Sequence, residues 1–181
     1  MCVDYPRSAE RSLEALLESL LFVSDGPASL RRLAQVLEVT AEELEEAVQS
    51  LARSCQNRGI RLQRHGDHVQ LASAPEASAY VERLLGTQQA GKLSPAALET
   101  LAIVAYQQPV TRATIEAIRG VNSDRVLSTL EARGLISEVG RQETAGRPVL
   151  FGTTFEFLQY FGLESLEQLP PIEKKASDGT G

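Results

Sequence analysis

The sequence predicts a mainly α (α+β) protein built from tandem winged-helix domains, each three helices plus a small β-hairpin wing. Three observations carry that expectation. Amphipathic helices of ordinary length are separated by glycine and proline stops. Each third helix is followed by two short apolar segments flanking a polar turn. The whole order of elements then recurs at an offset of 81 to 82 residues.

In the first unit, Ser8 to Val23 spaces Leu13, Leu16, Leu17, Leu20 and Leu21 along one broad stripe. Asp25-Gly26-Pro27 breaks this helix, and Ser29 caps a second that bears Leu30, Leu33, Val36 and Leu37. Thr40 and Glu43 form a capping box, in which hydroxyl and carboxylate each satisfy a free backbone N–H. Leu44, Val48 and Leu51 make the inner face of that third helix. Ile60 to Arg64 and His68 to Ala72 read as a hairpin around His65-Gly66-Asp67. Pro75 opens a fourth helix with Ala77, Tyr80, Val81, Leu84 and Leu85, and Gly86 to Lys92 is the candidate linker.

The second unit starts at Ser94-Pro95, a capping hydroxyl followed by proline at the first helical position, where no N–H is needed. Leu98, Leu101, Ala102 and Ala105 are the expected inward face, and Pro109 forces a turn between Gln107 and Val110. Thr111 caps a second helix with Ile115 and Ile118 inward, and Gly120 ends it. Asn122 or Ser123 caps a third helix carrying Val126, Leu127 and Leu130, closed by Gly134. Leu135 to Val139 and Val149 to Phe151 are wing strands around the turn Gly140 to Pro148. Thr153 and Glu156 suggest a capping box for a short aromatic helix that Gly162 stops.

The repeat follows from subtraction. Leu17-Glu18-Ser19-Leu20 aligns with Leu98-Glu99-Thr100-Leu101 at an offset of 81, and Pro27-Ala28-Ser29 with Pro109-Val110-Thr111 at 82. At 82, Leu33, Val36, Val39 and Leu44 fall on Ile115, Ile118, Val121 and Val126. The expected organisation is a first domain over 1–86, a second over 93–165 and a flexible tail over 166–181.

A formal net charge of −6 argues against a surface devoted to nucleic acid. The two cysteines, Cys2 and Cys55, make neither a disulfide framework nor a metal-ligand spacing, and a reducing cytoplasm is expected. No apolar run approaches a membrane span, and the acidic, proline-containing start is unlike a signal peptide. His65 and His68 flank Asp67 but lack further ligands, so they read as an exposed turn. Gly140 to Gly146 lacks the lysine and following helix of a phosphate-binding loop. No nucleophile or carboxylate pair stands at catalytic spacing, so neither enzyme activity nor a cofactor is expected.

DNA binding is weakly supported. The first unit's third helix presents Glu42, Glu43, Glu45 and Glu46, which repel phosphate. In the second unit Arg125, Arg141 and Arg147 are weak DNA-contact candidates, and a winged-helix transcriptional regulator is the alternative function. Apolar surface is left for protein partners. The candidates for a homodimer interface are Leu13, Leu16, Leu17 and Leu20. The five aromatics Phe151, Phe155, Phe157, Tyr160 and Phe161 are too many to face inward together, which leaves a face for a partner helix.

The segment Ala102 to Ile136 (AIVAYQQPVTRATIEAIRGVNSDRVLSTLEARGLI), with GRP at Gly146 to Pro148, FGTT at Phe151 to Thr154 and FLQYFGL at Phe157 to Leu163, closely resembles segregation and condensation protein B. Leu13 to Ser29, with LLESLLFVSDGP, fits the opening pattern of that family, and the likeness spans roughly Ser12 to Pro170. The resemblance implies a non-enzymatic subunit of the bacterial condensin-like complex, associated with the nucleoid in the cytoplasm. It implies a homodimer formed through the first unit and bound to the kleisin ScpA. It implies an indirect link, through the kleisin, to the structural-maintenance-of-chromosomes (SMC) ATPase, in chromosome condensation and segregation at cell division. The candidate kleisin-binding residues are Tyr106, Pro109, Val110, Phe155, Leu158 and Phe161.

Overall fold

The computed structural model describes residues 12–86 and 92–171. Most of the expected linker, the first residues with Cys2, and the end of the expected tail lie outside the described residues. The first unit runs α1 (Leu13–Val23), β1 (Ala28–Ser29), α2 (Leu30–Leu37), α3 (Ala41–Cys55), β2 (Ile60–His65) and β3 (His68–Ser73). A 3-10 turn at Pro75–Ala77 leads into α4 (Ser78–Leu85). The second runs α5 (Pro95–Gln107), β4 (Val110–Thr111), α6 (Arg112–Arg119), α7 (Asp124–Ala132), β5 (Ile136–Arg141), β6 (Val149–Thr153) and α8 (Phe155–Phe161).

The short strands β1 and β4 are not apparent from sequence, because two residues carry no period. They turn each wing into a three-stranded antiparallel sheet, ordered β1-β3-β2 and β4-β6-β5. Ala28 pairs with Val69 and Val110 with Phe151, so the 82-residue repeat runs through strand register as well as helices.

The expected capping chemistry is met at the starts of α3, α5 and α6, whereas Ser123 stands at the cap of α7 without a side-chain bond. Thr40 and Glu43 make both bonds of their box, at 3.2 and 2.8 Å. Ser94 and Thr111 accept from Ala97 N and Thr114 N. Ser29 stands at its cap position without a side-chain bond. The cap of α8 is Thr154, whose hydroxyl accepts from Phe157 N, and Thr153 is instead the last residue of β6.

Two separate cores form. Leu17, Leu21, Leu33, Leu44, Val48, Leu51, Leu62 and Val69 fill the first. Leu101, Val104, Ile115, Leu127, Leu130, Ile136, Phe151, Phe157 and Leu158 fill the second. Several expected inward positions face outward: Leu98 is 44 % exposed, Ile118 55 % and Val36 58 %. Ala97, Thr100 and Val104 take the inner face of α5 instead, with the Thr100 hydroxyl satisfied by Ala96 O. Pairing Leu17 with Leu98 is therefore out of phase. An offset of 84 matches buried Leu17 and Leu21 with buried Leu101 and Ala105.

The expected tail is structured through Pro171. Leu166–Gln168 forms a 3-10 turn, and Leu163, Leu166 and Leu169 pack on the second core. This segment extends the second unit towards the first and so builds the joint between them.

Candidate functional site

Three features of the surface follow from this packing. The first is the outer face of α1. Of the four expected dimer residues, Leu17 is fully buried in its own core, so it cannot meet a partner. Leu13 and Leu20 pack partly on that core, and Leu16 is 40 % exposed. Val23, 73 % exposed, continues this face at the end of α1, whereas Phe22, 85 % exposed, projects from the other side of the helix. Elsewhere on the first unit, α4 carries Tyr80, Leu84 and Leu85, all exposed rather than packed.

The second feature is the aromatic end of the second unit. Val110 and Leu158 are core residues, which removes them from the expected kleisin-contact set. Pro109 is exposed, and Tyr106, 39 % exposed, donates its hydroxyl to Pro170 O at 2.6 Å. On α8, Phe157 turns inward while Tyr160 and Phe161 stay more than two-fifths exposed, their ring centroids 5.1 Å apart. The aromatic count is thus divided between core and surface as the sequence requires. Phe155 faces neither solvent alone nor the core alone, because its ring packs on His65 of the first unit.

That contact belongs to the third feature, the joint. β2 is an edge strand whose Ile60 and Leu62 side chains turn towards the helices of the first unit. Its alternate residues Arg61, Gln63 and His65 turn to the second unit. Gln63 Nε2 donates to Leu163 O at 2.8 Å, while its Oε1 accepts from Gln70. Arg64 N donates to Glu164 O at 2.8 Å, so the segment after α8 closes part of the open edge. Arg61 Nε lies 3.5 Å from the Glu164 carboxylate. His65 Nε2 is 3.0 Å from Thr153 Oγ1, which donates to Gln108 Oε1. Burial, and then the neighbouring His68, hold His65 below its ordinary pKa. Reading this hairpin as a wholly exposed turn is therefore corrected: His65 is half-buried between the units. The signal was Gln63, a polar residue in a strand whose period leaves its face otherwise uncovered.

Several arginines of the second unit are paired with carboxylates. Arg112 pairs with Asp124, Arg119 Nε with Glu99 at 3.1 Å, and Arg141 Nε with Glu138 at 3.2 Å. Arg125 and Arg147 remain exposed. Among the described residues, no group of three or more His, Cys, Asp or Glu could hold a metal ion. Among the same residues, no helix is long and apolar enough to cross a membrane.

The fold and these surfaces define a tandem winged-helix protein with apolar faces outside its two cores. The chain belongs to the family of the segregation and condensation complex subunit ScpB, whose family model matches residues 15–172. Segregation and condensation protein B of Geobacillus kaustophilus is 51 % identical over 174 residues, covering 94 % of this chain and 80 % of that protein. The protein of the same name from Carboxydothermus hydrogenoformans is 48 % identical, with 89 % and 88 % covered. The crystal structure of ScpB from Mycobacterium tuberculosis is 42 % identical, covers 83 % of this chain and 95 % of that one, and has a TM-score of 0.41. A dimer of a ScpB N-terminal domain complexed with ScpA peptide is 32 % identical, covers 44 % of this chain and 99 % of that one, and also scores 0.41.

Proposed function

We propose that this chain is a non-enzymatic homodimeric scaffold that binds the kleisin ScpA and, through it, serves an SMC ATPase in chromosome condensation and segregation at cell division. The reading rests on membership of the ScpB family across both winged helices. The exposed apolar residues are what a scaffold needs, since an apolar face left in water is stabilised by a partner that covers it. We assign dimerisation to the first unit over 1–86, through Leu13, Leu16 and Leu20 extended by Val23. Kleisin binding falls to the second unit over 93–165, at Tyr106, Pro109, Phe161 and the open side of Phe155. The protein would then work in the cytoplasm on the nucleoid, with any contact to DNA weak or indirect.

The test is the light-scattering mass of the full chain eluting from a sizing column, alone and mixed with the central fragment of the kleisin. A dimer mass that rises on mixing is expected. A monomer, or a dimer unmoved by the kleisin, would overturn the reading. Tight, salt-sensitive duplex binding lost on reversing Arg125 and Arg147 would then point to the regulator.

A further inference from the structure

We propose that the joint between the two winged helices is a proton-sensitive clasp, tightest while His65 is neutral and loosened when its imidazole takes up a second proton. The inference is independent of the kleisin assignment, because it concerns only how the two units hold each other.

Hydrogen-bond directions across the joint define the closed state. Gln108 Nε2 donates to Ala105 O at 3.2 Å, which turns Oε1 towards β6. That oxygen accepts from Thr153 N at 2.7 Å and from the Thr153 hydroxyl at 3.0 Å. With its proton committed to Gln108, Thr153 Oγ1 is the acceptor for His65 Nε2–H. The neutral tautomer therefore carries its proton on Nε2, and Nδ1 is the nitrogen open to a second one.

The surroundings of His65 decide which state the joint favours. Phe155 of α8 offers an apolar ring, its centroid 5.6 Å away. From β3, His68 stands directly across the strand pair, its Nδ1 held by Asp67 at 2.6 Å. On the same strand, Arg64 is occupied by the Glu45 carboxylate at 2.7 Å. From the second unit, Glu164 faces Arg61, and Glu167 acts to favour a charged His65. Burial and His68 outweigh Glu167, so the closed joint disfavours the imidazolium.

The sign follows directly. A base whose pKa is lowered by docking binds fewer protons in the docked state. Docking is therefore undiminished above the ordinary histidine value of 6.5 and weakens as pH falls below it. A polar cleft of about 580 Å³ beside the joint, lined by Arg61, Gln63, Leu163 and Glu164, gives water a route to the opened edge.

The Arg64 amide is a built-in reporter, because its N–H crosses the joint to Glu164 O. Amide exchange of the full chain, expressed as protection against the intrinsic rate at each pH, is followed from about pH 7.5 to about pH 5.5. Protection of Arg64 should fall by up to tenfold per pH unit below the ordinary histidine pKa, the limit for one linked proton. The core amides of Val69 and Leu130 should hold, which separates opening of the joint from unfolding. His65→Gln keeps a neutral donor and His65→Leu removes it, and both should abolish the pH dependence, whereas His68→Gln should retain it. An Arg64 protection flat across this range in the wild type, or one that still falls in both His65 variants, overturns the clasp.

Discussion

The two winged helices share one plan but protect their sheet edges differently. In the first unit, edge strand β2 is covered by the second unit, through Gln63, Arg64 and His65. In the second, the corresponding edge strand β5 carries a register shift between Glu138 and Gly140 and the Arg141–Glu138 ion pair. A bulge and paired charges blunt an open edge against further strand addition, so β5 needs no covering neighbour. The helices differ in compensation: α3 has 15 residues and α7 has 9, while the hairpin turn grows from 66–67 to 142–148. One copy has become a base with a long third helix, the other a unit that reaches back onto that base. A repeat thereby became a jointed molecule.

The sharpest way to test that picture is to empty each core in turn. Leu51 and Leu130 are both wholly buried, one in each unit. Truncating either to alanine should cost about 2–5 kcal/mol, from lost burial plus the cavity left behind. Because the joint links the units, each substitution should lower one common urea transition. A melt that splits into two steps for the wild type would break the coupling.

A smaller effect is expected at Gly152, where the second sheet is tightest. A Cβ there would stand 2.8 Å from Val139 Cγ1 and 3.1 Å from Gln108 Oε1, the acceptor that organises Thr153. Gly152→Ala should destabilise by about 1–3 kcal/mol through overpacking. Adding Val139→Ala should recover part of the loss in a chemical melt. The 82-residue repeat puts Gln70 at the equivalent place in the first unit, where its amide donates to Gln63. Gln63→Ala should therefore cost about 1–3 kcal/mol, as it leaves Leu163 O without its donor.

Much of this was legible in the sequence because each element carried its own punctuation. The Thr40 box, the Gly120 and Gly162 stops and the Pro95 start are local rules with local outcomes. The division of the α8 aromatics was legible too, since a helix of 7 residues has only one inner face. What failed depends on distant partners. Leu98 matches Leu17 in letters but not in phase, because the turn after α5 is shorter. Val110 and Leu158 were read as surface when the β4–β6 pairing and the wing bury them. Gln63 marked a strand face in need of cover, but what covers it was not legible, since nothing local tells His65 that Thr153 will lie across from it. The α1 and α8 faces that remain exposed were partly legible.

The smallest expected effect lies between α1 and α3, where the first unit has a polar tie. Ser50 and Ser54 on α3 each donate a hydroxyl to the Glu14 carboxylate, both at 2.6 Å. These bonds favour the charged form and hold the Glu14 pKa below its ordinary value of 4.5. A carboxylate lowered on folding adds stability that is present above the ordinary value and lost as pH falls through the lowered one. In the urea midpoint measured from neutral to acid pH, the Ser50→Ala, Ser54→Ala double variant should lose only slightly at neutrality. Its decline below the ordinary Glu14 pKa should be shallower than in the wild type. Two parallel curves would mean that this tie adds nothing to the contact between α1 and α3, leaving that contact to the Leu17 and Leu51 side chains of the shared core.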